Sequence, residues 1–251
     1  MLLAAVCAPA QAAGDKSALA LIEHGTAAMR ANPDESKQDA ERALDMIRPH
    51  PDADLEIRAR LLLCDYYSER DADLARQQID AAKALLPQAR RPGLRAGVLT
   101  CQGETLESAG DNAHAMTDFD AAVTVATAAN DEQMLAEALF SRGYLRALQG
   151  EYAAGMGDAR RSQELFDRVN MPQHALTVLS TIATIYNRLG EFDQAARIYE
   201  QVHSQQHDAG LRRDEAVFHG VRKAYDEIEP NDTRRAFKGM RCAHQGFKRG
   251  A

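Results

Sequence analysis

The chain contains no tryptophan, and phenylalanine, tyrosine and tryptophan together make up only 6% of it. The missing tryptophan removes one common interface anchor and excludes nothing else. No apolar run reaches the roughly 18 residues that a membrane-spanning helix needs. Alternating β-branched runs are nearly absent, which argues against a sheet. The sequence also lacks a glycine-rich phosphate loop, a Cys-x-x-Cys pair and a His-Glu-x-x-His run. Ser and His are present, but nothing places a nucleophile on a strained turn. No catalytic residue, cofactor or metal site is therefore expected. His203 and His207 have a four-residue spacing that can hold a metal; without a further ligand beside them, other than Asp208, they read as exposed histidines near a helix end. Asp118 and Asp120, like Asp71 and Asp73, read as solvated faces and caps. A formal net charge of -7 argues against a nucleic-acid partner.

What is present is a helical pattern, clearest in the stretch from Gln173 to His203. Ile182, Tyr186 and Leu189 recur at helical spacing, as do Phe192, Ala195 and Tyr199. Gly190 stands where the first helix should stop, because glycine takes the left-handed conformation without steric cost. Two helices joined by so short a turn must pack antiparallel, and Ala183 and Ala195 let them approach. Gly150 and Gly110 repeat the anchor at intervals of 40 residues, and Arg70 takes the next place upstream. Gly103 and Gly143 match Ala183, Tyr152 matches Phe192, Ala75 and Ala115 match Ala195, and Ile79 and Phe119 match Tyr199. Gly155 stands where that series has alanine, and Arg142 and Arg146 replace apolar residues, so the unit around Gly150 is expected to pack loosely.

The residues Ala183, Tyr186, Leu189-Gly190, Phe192, Ala195 and Tyr199 resemble the tetratricopeptide repeat, whose usual period is about 34 residues. The longer units here resemble the long-period variant found in bacterial signalling proteins. The resemblance implies an all-α fold, a right-handed solenoid of antiparallel helix pairs with about five to six units. The units fall at about 15–48, 54–87, 94–130, 131–170, 172–208 and from 211–228 onward. The first helix of the first unit is expected over Asp15 to Ala31, capped by Asp15 or Ser17. Asp111 is expected to cap the second helix of the third unit. Residues 229–251 form an irregular basic tail with no acid from Thr233 to Ala251, a composition suited to acidic partners or to a solvated end.

Residues 1–13, MLLAAVCAPAQAA, read as a signal-peptide-like segment ending in the small-x-small run Ala10-Gln11-Ala12. Export to a bacterial periplasm is the expectation, with a cytoplasmic protein as the alternative. Loss of the leader would leave Cys64, Cys101 and Cys242, an odd number that argues against a tidy disulfide framework. Cys64 and Cys101 lie on the first helices of successive units, where a bridge is open to them. Such cysteines are more often small core residues.

In solenoids of the family this chain resembles, the first helices line a concave groove that binds peptides or partner helices. From the register, the groove residues are expected to be Arg60, Tyr67, Glu104, Phe140, Tyr144, Thr184 and Asn187, flanked by Glu107 and Ser141. The aromatic residues are anchors of the kind that dominate interfaces, and the two glutamates favour a basic or amide-rich partner. The combination resembles the periplasmic sensor regions of bacterial GGDEF diguanylate cyclases and histidine kinases. A non-catalytic module binding a protein or peptide is the first expectation, and a free-standing periplasmic adaptor or assembly scaffold the alternative. A homo-oligomer is open.

Overall fold

A computed structural model describes the backbone of residues 8–208 and the side chains of 17–205. The expected sixth unit, the basic tail, Cys7 and Cys242 lie outside the described residues. Those that are described form ten helices and no strand: α1 (Ala8–Ala28), α2 (Pro33–Ile47), α3 (Ala53–Ser68), α4 (Ala72–Leu85), α5 (Leu94–Ser108), α6 (Asn112–Ala128), α7 (Glu132–Leu148), α8 (Tyr152–Arg168), α9 (Pro172–Arg188) and α10 (Phe192–Asp208), with a 3-10 turn at Leu86–Gln88. The first helix begins at Ala8, so Asp15 and Ser17 lie inside it and do not cap it. Ala10-Gln11-Ala12 lies within the same helix. The chain divides into two compact units, Met1–Val178 and Leu179–Ala251, the division falling inside α9.

The helix ends follow from local chemistry. Asp52, Asp71, Asp111 and Asp131 each occupy an N-cap and accept from backbone amides two or three residues on, at 3.0–3.3 Å. Gly110, Gly150 and Gly190 have φ of +87°, +88° and +81°. Each closes a helix with two backbone bonds, as where Glu151 N donates to Arg146 O at 2.9 Å. Asn130 and Asn170, midway between the glycines, do the same with φ of 51° and 57°. Asparagine is the residue after glycine that tolerates this conformation. From 110 to 190 the left-handed punctuation therefore falls every 20 residues, the glycines at the turn within a helix pair and the asparagines between pairs.

In the first unit, α1–α2, α3–α4, α5–α6 and α7–α8 pack as antiparallel pairs, and α1, α3, α5 and α7 lie side by side. This is a helical-repeat solenoid. Its core comes in layers, each shared by neighbouring pairs. Ile22, Ala43, Leu55 and Leu62 fill one layer; Ile57, Ile79, Leu94 and Val98 the next; Phe119 and Leu145 another. Gly103 is required by Phe119, since a Cβ there would sit 2.5 Å from the ring.

The unit around Gly150 is not loose. α7 and α8 pair more extensively than α1–α2, α3–α4 or α5–α6. A Cβ on Gly155 would lie 2.8 Å from Gly143 O, so the two glycines let the backbones touch. Arg142 and Arg146 are not misplaced core residues. They converge on Asp158, itself only 8% exposed. Arg142 binds it through two nitrogens at 2.8 Å and Arg146 through one at 2.7 Å. The close approach brings the carboxylate within reach of both guanidinium groups, which the apolar pattern alone did not reveal.

Cys64 and Cys101 form a disulfide between α3 and α5, Cα to Cα 6.3 Å, and not the unpaired core thiols that composition favoured. Their Cα separation matches the bridging range because side-by-side helices present equivalent faces at that spacing. In the second unit, Ile182, Ala183, Ile185, Ala195 and Val202 are buried, and the Thr184 and Tyr199 hydroxyls share a hydrogen bond at 2.9 Å.

Candidate functional site

The odd-numbered helices of the first unit enclose a cavity of about 90 Å³. Its walls are apolar where Ile22, Leu61, Leu62, Met134 and Phe166 reach it. Between them stand ionisable groups that a folding core would normally exclude. Asp65 comes from α3, Glu104 from α5, Glu137 from α7, and Arg30 from the turn after α1. Each acid is flanked by residues that face the core. Asp65 follows Leu62-Leu63-Cys64, and Glu137 stands between Leu135-Ala136 and Ala138-Leu139.

These groups form a connected cluster. Arg30 Nη2 lies 3.6 Å from Asp65 Oδ2, and its guanidinium sits 5.9 Å above the Phe140 ring. Ser141 Oγ donates to Glu104 Oε1 at 2.7 Å. Gln133 Nε2 donates to Glu137 Oε1 at 3.1 Å. Burial pushes the Glu104 carboxyl up to about 8; Asp65 and Glu137 add to this, while the Ser141 hydrogen bond and Arg30 oppose it. Burial likewise pushes Glu137 up to about 7, against the Gln133 hydrogen bond. His174, stacked 5.2 Å from Phe166, is driven down to about 3 by burial and by Arg30, so its imidazole stays neutral. Carboxyls held near neutral values donate hydrogen bonds when protonated and ionise when a cation arrives.

Two polar groups in the cavity stand apart. Thr100 is 5% exposed, and its Oγ1 has no hydrogen-bond partner. Thr26, Thr105 and Thr177 instead donate to the carbonyl four residues back, at 2.8–3.1 Å. Arg58 is the second. Among the described residues it has no hydrogen bond and no ion pair, and burial together with the charge of Arg91 lowers its pKa. Arg91 itself is committed to Asp131, at 2.6 and 2.7 Å.

Of the residues expected in the groove, Glu104, Phe140 and Ser141 line this cavity. Glu107 and Tyr144 are half-buried outside its lining. Arg60 turns to its own helix pair, bonding Glu56 at 2.6 Å and Gln78 on α4 at 3.2 Å. Tyr67 packs edge-on against Tyr66 at 5.1 Å and touches two core layers, filling a gap between helices. Thr184 and Asn187 belong to the second unit, where Thr184 bonds Tyr199. Arg30, Arg58, Asp65, Thr100, Glu137 and His174 were not foreseen. The legible signal was an acid standing among the core-facing residues of a first helix.

No protein-family model matches the chain, and no curated protein does. Solved structures do match. A Rap protein complexed with competence and sporulation factor is 14% identical, with a TM-score of 0.66 over 91% of this chain and 64% of its own. Aspartyl phosphate phosphatase F from Bacillus subtilis is 13% identical, with a TM-score of 0.60 over 95% of this chain and 63% of its own. A signal transduction ATPase with numerous domains, carrying a tetratricopeptide repeat sensor, from Pyrococcus horikoshii is 12% identical, with a TM-score of 0.54 over 96% of this chain and 41% of its own. The chain thus spans less than two thirds of the length of each. At these identities the likeness is one of fold: the chain is built as a tetratricopeptide-like solenoid of helix pairs.

Proposed function

We propose that this chain is a non-catalytic binding module that holds a protein or peptide segment in the polar cavity of its first unit. We propose further that it is the exported, periplasmic sensor part of a bacterial membrane signalling protein of the diguanylate cyclase type. The observation that carries the binding reading is the cavity itself. It gathers half-buried acids, an unpartnered threonine hydroxyl and an arginine without a counter-ion on the faces of successive first helices. Thr100 and Arg58 add nothing to a folding core, since each costs desolvation that no hydrogen bond among the described residues offsets. One structural neighbour is a protein complexed with a factor, and another carries a sensor of this repeat type. The Cys64–Cys101 disulfide supports export, because such bonds persist in oxidising compartments.

The test is selection of peptides on the purified chain, followed by titration of the winners against Phe140→Ala. Phe140 is half-buried at the cavity, so its loss should weaken binding tenfold or more while the melting midpoint moves little. Selected peptides that bind Phe140→Ala as well as the wild type would contradict the reading. The export reading is tested separately, by fractionating cells that express the natural gene and asking whether the chain is found in the periplasm with Cys64 and Cys101 oxidised.

A further inference from the structure

The cavity is short of one cation. Its lining carries three carboxyls, Asp65, Glu104 and Glu137, against two guanidinium groups, Arg30 and Arg58, with His174 neutral. Arg30 lies against Asp65, at 3.6 Å. Arg58 stands seven residues before Asp65 on α3, about 10 Å of helix rise away. Glu104 and Glu137 are left with neutral donors, Ser141 at 2.7 Å and Gln133 at 3.1 Å. Carboxyls so placed hold their protons.

The second observation is independent of charge. Thr100 is buried in the same lining, and its hydroxyl has no partner. Thr26 and Thr177, also in the lining, close on carbonyls of their own helices. Thr100 precedes Glu104 by four residues on α5, and Glu137 precedes Ser141 by four on α7. Thr100 and Glu137 thus stand one turn back from the Ser141–Glu104 bond on neighbouring helices. Three acceptors, Glu104, Glu137 and Thr100, fall within one turn of one another. The bed beside them is hydrocarbon, from Ile22, Leu61, Leu62 and Met134.

We propose that the cavity is a binding site for a primary alkylammonium of about two or three carbons, its nitrogen on Glu104, Glu137 and Thr100 and its chain on the apolar bed. A primary ammonium has three N–H donors and no acceptor, which matches three acceptors. The volume of about 90 Å³ is the share of about three water molecules, room for three or four non-hydrogen atoms. The ammonium is either that of a free short-chain amine or the end of a lysine side chain on the segment proposed above; only the second depends on that reading.

Entry of the cation replaces a proton held by Glu104 or Glu137. The charged groups acting on these carboxyls are Arg30 after α1, Asp65 on α3, Arg91 before α5, and each other. Arg58 on α3 and the neutral His174 on α9 share the lining. Complex formation should release protons below about pH 7, and affinity should rise with pH to about 8, where the free carboxyls are already ionised.

The experiment is calorimetric titration of the full chain with n-propylamine, n-propanol and propionate at matched ionic strength. n-Propylamine should bind at least about tenfold more tightly than the other two and should release protons at pH 6.5. Thr100→Val keeps the side-chain shape and removes the acceptor. It should weaken n-propylamine about threefold or more while melting no lower than wild type. Glu104→Gln should abolish most of the proton release. If either variant fails to fold, the discrimination among the three probes by the wild type decides alone. Equal binding of all three, no saturable binding of n-propylamine by about 10 mM, or full affinity in folded Thr100→Val overturns the proposal. Selected segments that lose binding when lysine is replaced by norleucine identify a side chain as the source of the ammonium; n-propylamine binding beside segments indifferent to lysine identifies a free amine. If n-propylamine fails while selected segments still depend on Phe140, the binding module stands and the amine site falls.

Discussion

Ser141 on α7 donates its hydroxyl to Glu104 on α5 at 2.7 Å, joining residues 37 apart in the chain. The bond crosses between successive first helices at the height where Arg30 and Asp65 pair. It also accepts a buried acid into the solenoid. Without Ser141 the Glu104 carboxyl would face only Arg30 in compensation for its burial.

Glu104 sets one sign of the pH dependence. Its folded value lies near 8 against an ordinary 4.5, so the native chain binds the extra proton between those limits. Its contribution to stability is complete below pH 4.5 and falls away as pH rises to about 8. His174, with its value driven down, acts in the opposite direction below pH 6.5. Comparing variant with wild type removes that second effect. Glu104→Gln should melt higher than wild type at pH 8.5, by about 5 °C or more, and close to it at pH 5. Thermal unfolding at the two pH values checks this; equal offsets at both would contradict it.

Asp158 should be the most sensitive charged position. Removing it leaves Arg142 and Arg146 facing each other with little but Asp120 and Glu151 in reach. Asp158→Ala should cost about 3 kcal/mol, the scale of a broken buried ion pair. Urea unfolding measures it. A loss below 1 kcal/mol would mean the pair behaves as surface charge.

Gly155 and Gly150 test two different glycine roles. Gly155→Ala drives a methyl into Gly143 O and should cost about 1–3 kcal/mol by overpacking. Gly150→Ala meets nothing within 4 Å and should cost about 1–2 kcal/mol through its left-handed backbone alone. Asn130→Gly, at a site of the same conformation, should be neutral or stabilising. The three variants can be ranked by denaturant midpoint.

Reduction of Cys64–Cys101 should destabilise the chain by about 3–4 kcal/mol in the chain-entropy account, given the 37-residue separation. Alkylation followed by mass spectrometry should find both thiols blocked until a reductant is added. Rapid labelling of either residue in the untreated protein would contradict the bridge.

The repeat was legible because glycine spacing and helical periodicity are local signals. Gly110, Gly150 and Gly190 stand at helix ends as their spacing indicates. Asn130 and Asn170 were equally readable, since asparagine shares glycine's tolerance, but only once the half-period is sought. The site was read less completely. Glu104, Phe140 and Ser141 lie on the face that the register indicated, but Arg60 and Tyr67 sit on flanking faces of α3. One residue of register turns a side chain by about 100°. Arg58 and Thr100 were invisible for another reason: that they lack partners is a property of three-dimensional neighbours and not of sequence. The Arg142–Asp158 pairing likewise depends on how closely α7 approaches α8, which only the two glycines together determine.

The central claim is that ligand enters the cavity between the first helices. A photo-crosslinking amino acid placed at position 140, lining the cavity, and at position 124, exposed on α6, measures this directly. With selected peptides present, irradiation should give peptide adducts from position 140 and none from 124. Adducts from 124 alone, or equally from both, would place binding elsewhere and contradict the account.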